Sequence, residues 1–272
     1  LAREQGVTGV SSDSELMLDI ISKKVNDERS DARGLEMALM EVLPRFEGAF
    51  SLVVMDQGRL VGVRDPHGFR PLCLGRIGAN AWVFASETAA LDLVGATFVR
   101  DVEPGEMVVV DASGVRSHRP FAQPEPRLCV FEFVYFARPD SNLYATNVFG
   151  ARQRMGRALA AEYPVDADVV VPVPESGIPA AQGFSEASGI PYADGLVKNR
   201  YIGRTFIEPT QMLRDQGIRL KLNPIPATFD GKRVVLVDDS IVRGSTTRQL
   251  IAMVRDAGAA EIHLRVSSPP YR

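Results

Sequence analysis

The hydrophobic and polar positions of the chain follow one pattern in residues 1–120 and another in the residues that follow. Near the start, Ser12 and Glu15 have the spacing of a helix capping box. The apolar residues behind this box recur at helical spacing, at Leu16, Met17, Ile20 and Ile21. We therefore predict an amphipathic helix here, and a second helix over residues 32–43 that ends at Pro44.

Short apolar runs separated by turn residues follow these two helices. Pairs of such runs predict three hairpins: residues 49–55 with 59–64, residues 71–76 with 81–85, and residues 106–111 with 115–119. A short helix is predicted over residues 87–94. Because strands joined by tight turns pair antiparallel, we expect antiparallel sheet with helices packed on a face.

The second half of the chain instead alternates buried strands with helices. Strands are predicted over residues 168–173, 233–237 and 262–266, and helices near residues 148–159, 178–187 and 246–257. This alternation predicts a parallel sheet, so the fold class is α/β with an α+β first half. Three prolines within residues 120–126 suggest a linker, which gives domains of residues 1–120 and 121–272.

Composition and charge exclude several classes of protein. Hydrophobic residues make up 45% of the chain and charged residues 24%, as in ordinary globular proteins. A net charge of −3 argues against non-specific binding to nucleic acid or to acidic membranes. No apolar run reaches the roughly 20 residues of a membrane helix. With only two cysteines the chain has no disulfide framework, so we expect a reducing compartment and a cytoplasmic location.

The strongest chemical signal follows the predicted strand at residues 233–237. Two acids end this strand, and a loop with a glycine and hydroxyl residues then opens a helix. Ligands of open α/β sheets bind at the carboxyl ends of strands, and amides at a helix N-terminus suit a phosphate. Adjacent carboxylates suit ribose hydroxyls or hydrated Mg²⁺. The loop therefore predicts a site for a 5-phosphorylated ribose, with an ordinary Asp-Asp turn as the alternative. Its candidate residues are Asp238, Asp239, Ser240, Arg243, Gly244, Ser245, Thr246 and Thr247.

Residues 234–247 resemble the signature of type I phosphoribosyltransferases, and other segments narrow this resemblance. Residues 131–141, 173–177 and 198–207, together with Ser12-Asp13-Ser14-Glu15, are similar to the glutamine phosphoribosylpyrophosphate amidotransferase family. The resemblance covers essentially the whole chain. It implies a truncated αββα domain of the N-terminal-nucleophile hydrolase type, followed by a type I phosphoribosyltransferase domain that is truncated at its C-terminus. It also implies transfer of glutamine-derived ammonia to phosphoribosyl pyrophosphate, the reaction that opens purine synthesis.

The resemblance assigns roles to further residues. Asp13 would hold the amino group of glutamine, although by itself it reads as a helix-cap residue. Glu175, Ser176 and Gly177 would bind pyrophosphate, with Ser176 completing a Mg²⁺ site beside the two acids. Tyr135 would lie near the passage for ammonia, or else is a core tyrosine.

Three cations, Lys198, Arg200 and Arg204, would begin a loop over residues 198–211 that is mobile without substrate and folds over it. Solvated surface charges are the alternative interpretation of these residues. The resemblance also implies purine nucleotides as inhibitors and a homo-oligomer.

Two features of the sequence depart from the family. Family members begin with a catalytic cysteine, whereas this sequence begins at Leu1, so we expect an internal fragment without glutaminase activity. Cys129 stands where one branch of the family places the first of four thiolates of a 4Fe–4S cluster. The resemblance implies such a cluster only in the full-length protein, with the remaining ligands beyond Arg272, and a buried apolar cysteine is the alternative.

Two other functions remain as alternatives. A salvage phosphoribosyltransferase would not need residues 1–120. A regulator that senses phosphoribosyl pyrophosphate would need a basic helix-turn-helix segment, and the first half offers hairpins instead.

Overall fold

The structure is a computed structural model that describes residues 12–27, 34–199, 222–242 and 244–269. The chain forms two compact units, Leu1–Cys129 and Val130–Arg272. Within the described ranges, no helix combines the length and the apolar character needed to cross a bilayer.

The described residues of the first unit form two antiparallel sheets and three helices. Its helices are α1 (Asp13–Asp27), α2 (Gly34–Val42), which a 3₁₀ turn at Leu43–Arg45 extends, and α3 (Thr88–Leu93). One sheet has the order β1 (Ser51–Met55), β2 (Leu60–Arg64), β6 (Met107–Asp111) and β7 (Gly114–His118). The other has the order β4 (Ala81–Ala85), β3 (Cys73–Ile77) and β5 (Thr97–Asp101).

Alternating side chains arrange these elements in four layers. Val63 and Val109 of the first sheet pack with Leu39 of α2, whereas Val108 on the opposite face packs with Leu74 of the second sheet. The far face of the second sheet is covered by Leu91 of α3, which packs with Cys73 and Ala96 in one cluster. Because successive residues of a strand face opposite sides, each sheet has two buried faces. The helix–sheet–sheet–helix order is the αββα arrangement expected from the resemblance.

Two parts of the first unit differ from the sequence-based description. Strand β5 was not predicted; it pairs with β3 as an edge strand. The proline-containing segment at residues 120–126 packs on the first unit, since Phe121 is buried in its core and the Glu125 carbonyl lies 3.0 Å from His67 Nδ1. The two compact units consequently divide after Cys129.

The second unit is built on a parallel sheet, as predicted. Its strands are β10 (Val169–Pro172), β13 (Arg233–Asp238) and β14 (Glu261–Val266), in that order. The main helices are α4 (Val148–Glu162), α5 (Ile178–Ser188) and α7 (Ser245–Asp256). Smaller elements are a π-helix (Glu132–Phe136), the hairpin of β8 (Asn142–Leu143) and β9 (Thr146–Asn147), the antiparallel pair of β11 (Leu196–Lys198) and β12 (Leu222–Pro224), and α6 (Pro226–Phe229).

Helices cover both faces of this sheet and leave its carboxyl edge for loops. Val170 and Val235 pack with Phe184 of α5 on one face, and Leu236 packs with Leu250 of α7 on the other. As predicted, α5 ends before Gly189, which adopts the left-handed conformation with φ of 74°. The carboxyl ends of β10, β13 and β14 thus lie together at one edge.

Candidate functional site

The acid pair lies at the carboxyl edge of the parallel sheet. Asp238 is the last residue of β13, and Asp239 follows it directly. The loop that leaves the neighbouring strand β10 stays next to the acid pair, because the Val173 N–H donates to the Val237 carbonyl over 2.8 Å. Residues far apart in sequence therefore meet at this edge.

The two carboxylates have different surroundings. Asp239 is 6% exposed, and its two oxygens accept hydrogen bonds from the hydroxyls of Ser176 and Ser240. Burial and the adjacent Asp239 carboxylate raise the pKa of Asp238 to about 7, partly offset by the Asp239 N–H, which donates to Asp238 Oδ1 over 2.9 Å. A bound cation would stabilise the charged form of Asp238 and so oppose this increase in its pKa.

The loop after β10 brings Glu175, Ser176 and Gly177 beside this pair. A Cβ atom on Gly177 would lie 2.6 Å from the Val237 carbonyl oxygen and 2.7 Å from that of Val173. Only glycine therefore allows the loop to lie this close to β13. The peptide bond between Pro174 and Glu175 is cis.

Helix α7 begins at Ser245, six residues after Asp239. Gly244 adopts a left-handed conformation with φ of 71° immediately before Ser245, the first helical residue. Ser245 and Thr246 are exposed, whereas Thr247 is buried. The free N–H groups of a first helical turn, together with exposed hydroxyls, can bind an anion.

Lys198 and Glu175 form an ion pair, with 3.1 Å between Lys198 Nζ and Glu175 Oε2. Both side chains are largely exposed, so this pair contributes little to stability. The sequence-based prediction placed both residues at the substrate-binding site but did not include their ion pair. No spacing rule connects two residues that are 23 positions apart on different loops.

Other predicted site residues lie elsewhere or outside the described residues. Asp13 is exposed in the first turn of α1, where the Glu15 N–H donates to Ser12 Oγ over 3.3 Å. Tyr135 is 43% exposed in the π-helix, which excludes the core interpretation. Arg200, Arg204, Arg243 and most of the predicted mobile loop fall on residues that the structure does not describe.

The two cysteines differ sharply in environment. Cys129 is half-buried, whereas Cys73 is buried and its thiol donates to the Ala85 carbonyl over 3.2 Å. Burial raises the pKa of Cys73 to about 12, with a further contribution from the Asp101 carboxylate.

Among the described side chains, no three His, Cys, Asp or Glu residues cluster as metal ligands.

Comparison with known families assigns a domain to each half of the chain. Residues 1–93 match a family described as glutamine amidotransferase domain, and residues 150–268 match a family described as phosphoribosyl transferase domain. Both matches agree with the domain types implied by the sequence motifs.

Curated relatives resemble most of the chain. It is 58% identical over 238 residues to the amidophosphoribosyltransferase of Mycobacterium tuberculosis, covering 88% of this chain and 45% of that protein. It is 51% identical over 273 residues to the enzyme of Synechococcus elongatus, covering 99% of this chain and 54% of that protein. The chain therefore spans about half the length of the curated relatives it matches.

A solved structure extends the similarity to the fold. The glutamine phosphoribosylpyrophosphate amidotransferase from B. subtilis, complexed with ADP and GMP, superposes with a TM-score of 0.87 at 46% identity. That match covers 98% of this chain and 58% of the other. The resemblance and the fold class drawn from the sequence are thereby confirmed.

Proposed function

We propose, from the shared sequence and fold of the amidophosphoribosyltransferases, that this chain forms part of an enzyme of that activity. The reaction transfers ammonia, released from glutamine, to C1 of phosphoribosyl pyrophosphate. Its products are 5-phosphoribosylamine, pyrophosphate and glutamate, and it is the first committed step of purine synthesis.

This proposal rests on one observation: a helix N-terminus, two carboxylates and a loop meet at one edge of the parallel sheet. The N-terminus of α7 is suited to the 5-phosphate, the carboxylates of Asp238 and Asp239 to the ribose hydroxyls, and the loop at residues 173–177 to the pyrophosphate. Lys198 forms an ion pair with Glu175 of that loop. When pyrophosphate binds, Lys198 would exchange this carboxylate for a phosphate oxygen.

The chemistry requires positioning more than covalent catalysis. Bonds to the 5-phosphate and to the ribose hydroxyls fix C1 in place, and cations near the pyrophosphate stabilise the charge of the leaving group. Water would compete with ammonia for C1, so a covered site favours transfer over hydrolysis. We assign this cover to the loop that begins at Lys198.

The residues at the edge fit a Mg²⁺ ion. Two carboxylates and the Ser176 hydroxyl provide oxygen ligands. Burial and the Asp239 carboxylate raise the pKa of Asp238, and a nearby cation would stabilise its charged form. Mg²⁺ in proteins is commonly held by one or two carboxylates together with substrate phosphates. When bound with the substrate, it would neutralise charge on the pyrophosphate.

The described residues do not fit a 4Fe–4S cluster. Such a cluster needs four thiolates, and of the two thiols Cys73 is buried and bonded to a main-chain carbonyl within the first unit. No step is assigned to such a cluster, and the link between Cys129 and iron stays a prediction.

Further proposals follow from the assigned reaction. Residues 1–120 would carry the glutamine chemistry, with Asp13 holding the amino group of glutamine, and residues 121–272 the phosphoribosyl chemistry. Purine nucleotides would compete at the phosphoribosyl site, as the ADP and GMP bound to the B. subtilis relative suggest. The enzyme would be a cytoplasmic homo-oligomer.

Substitution of Asp239 by Asn tests the assignment in the complete enzyme. Loss of one oriented carboxylate should lower ammonia-dependent formation of phosphoribosylamine about a hundredfold. Glutamine hydrolysis, measured in the same preparation, should change less than about threefold.

The matched control is Asp256→Asn, which makes the same charge change at the exposed far end of α7. It should leave both activities unaltered. Equal losses of the two activities in Asp239→Asn, or full transfer activity in that variant, would contradict the assignment.

A further inference from the structure

Two main-chain hydrogen bonds join the segment after β14 to the acid pair, just beyond the paired residues of β13 and β14. The register ends with Asp238 opposite Val266. The Ser267 N–H then donates to the Asp238 carbonyl over 3.0 Å, and the Ser268 N–H donates to the Asp239 carbonyl over 2.9 Å. Both acids of the pair are therefore held by main-chain hydrogen bonds from the segment that follows β14.

The opposite side of β13 is held in the same way by the loop after β10. There the Val173 N–H donates to the Val237 carbonyl over 2.8 Å. The main-chain carbonyls of residues 237, 238 and 239 thus each accept a hydrogen bond from a neighbouring segment of the same chain. Two residues later the chain is open to solvent, with Ile241 47% and Val242 88% exposed. The acid pair occupies the last fixed positions before an exposed loop.

This boundary matters because the position of a carboxylate depends on its main chain as well as on its rotamer. Asp239 has its rotamer set by the hydroxyls of Ser176 and Ser240. Those bonds do not prevent the Asp239 Cα from moving with the exposed loop. Productive binding tolerates displacements of only about 0.5 Å, so an anchor on the main chain is needed as well.

The sequence after β14 limits the conformations of this segment. The chain bends at Ser268, so the N–H groups of Ser267 and Ser268 both point towards the acid pair. Ser268 precedes Pro269, and a residue before proline has fewer backbone conformations open to it. Proline thereby supports the anchor without contributing a hydrogen bond of its own.

We propose that Ser267–Ser268 is a positioning segment for the acid pair and acts through its main-chain N–H groups, not through its hydroxyls. This inference rests on the proposed phosphoribosyl site. The residues that follow β14 thus support substrate binding through their main chain, and their side chains take no part in it. The segment limits movement of Asp238 and Asp239 when the ribose hydroxyls are bound.

The test compares Ser268→Pro, which removes the N–H that Asp239 accepts, with Ser268→Ala, which retains it. In the complete enzyme, Ser268→Pro should lower kcat/KM for phosphoribosyl pyrophosphate about tenfold, as expected for one lost hydrogen bond. Most of the change should lie in KM. Ser268→Ala should stay within about twofold of the parent. Glutamine hydrolysis without phosphoribosyl pyrophosphate should be equal in all three proteins.

Three results would overturn the inference. The first is a Ser268→Pro enzyme that keeps the kcat/KM of the parent. The second is a Ser268→Ala enzyme whose kcat/KM falls as much as that of Ser268→Pro, which would assign the role to the hydroxyl. If circular dichroism shows that Ser268→Pro is unfolded, Pro269→Gly decides, since it keeps both N–H groups and only frees Ser268. We expect a KM raised about threefold in Pro269→Gly, and an unchanged KM there is the third such result.

The same experiments separate this inference from the proposed function. If Asp239→Asn abolishes transfer and the changes at residues 268 and 269 have no effect, the site stands and the positioning segment does not. If Asp239→Asn itself transfers normally, the phosphoribosyl site is misassigned and the inference fails with it.

Discussion

Buried charge serves different purposes at Arg64 of the first unit and at Asp239 of the second. In the first unit, Arg64 is 1% exposed, and its guanidinium donates to the carbonyls of Gly68, Arg70 and Val102. In the second, the donors to the two oxygens of Asp239 are the neutral hydroxyls of serines. Three carbonyls fix the Arg64 guanidinium and tie the surrounding chain together, whereas Asp239 lies next to the like-charged Asp238, so the acid pair still favours an added positive charge. The contrast separates residues that maintain the fold from residues available to a ligand.

The largest effect should come from Arg64→Met. Removing the guanidinium leaves three carbonyls, in two separate segments, without this donor. Each such loss in a buried site costs roughly 1–3 kcal/mol. We expect the first unit to lose about 3 kcal/mol or more of unfolding free energy. The single tryptophan of the chain, Trp82, lies in β4 and reports this unit in a urea titration followed by fluorescence.

The control for this prediction is Arg45→Met, at an exposed position of the 3₁₀ turn. It should change the unfolding free energy by less than about 0.5 kcal/mol. An Arg64→Met protein as stable as this control would remove the distinction between Arg64 and the acid pair.

A somewhat smaller effect is expected in the second unit, where α4 and α5 pack closely. A Cβ on Gly183 of α5 would lie 2.0 Å from the Gln153 carbonyl oxygen of α4. Gly183→Ala must push the helices apart, which should cost about 2–3 kcal/mol. Hydrogen exchange of the α4 and α5 amides measures this cost.

Gly150 provides the matched control in the same pair of helices. A Cβ there has its nearest contact at 3.5 Å, with the end of the Arg154 side chain. Gly150→Ala should therefore stabilise α4 by about 0.5–1 kcal/mol, because glycine is a poor helix former. The two substitutions are thus expected to have opposite signs, and equal signs would rule out this packing argument.

The smallest effect concerns the amino edge of the same sheet. Arg233 donates to Asp168 from both its side chain, over 2.7 Å, and its main chain, over 2.8 Å, and holds the pKa of Asp168 at about 2. A lowered carboxyl pKa stabilises the fold above the unfolded pKa of about 4, and this contribution is lost as the pH falls towards 2.

Asp168→Asn should accordingly destabilise the second unit slightly at pH 6 and not at pH 2. Hydrogen exchange of the β10 and β13 amides at several pH values checks this prediction. Asp256→Asn, at an exposed end of α7, should show no such pH dependence. A difference from the parent that persists at pH 2 would mean that the charge of Asp168 is not the cause.

Much of the fold could be predicted because local signals agree with the final structure. The turn at residues 56–59 is held by Asp56 Oδ1, which accepts from the N–H groups of Gly58 and Arg59. Strand β5 was missed because its apolar residues do not alternate in burial, with Phe98 and Val99 both exposed at a sheet edge. The stacking of hairpins into two sheets depends on contacts between distant residues, which no local pattern contains.

The candidate site could be predicted only in part. The acids, the glycine and the hydroxyls of residues 238–247 lie on one strand–loop–helix segment, so their spacing reveals them. The bond from Ser176 to Asp239 joins residues 63 positions apart and needs the parallel sheet to bring them together. The bonds from residues 267 and 268 use main-chain N–H groups, which nearly every residue has and which therefore leave no signal in a sequence.

The pairing of β11 with β12 has a consequence for how such a protein can change in evolution. Lys198 lies opposite Leu222 in this pair, so the connecting segment leaves and re-enters the sheet at adjacent points. Doubling the length of a flexible connection between fixed ends costs only about 0.6 kcal/mol in closure entropy. Changes in the number of residues between these two positions should therefore cost little folding free energy, so this part of the sequence can vary in length while the scaffold stays the same.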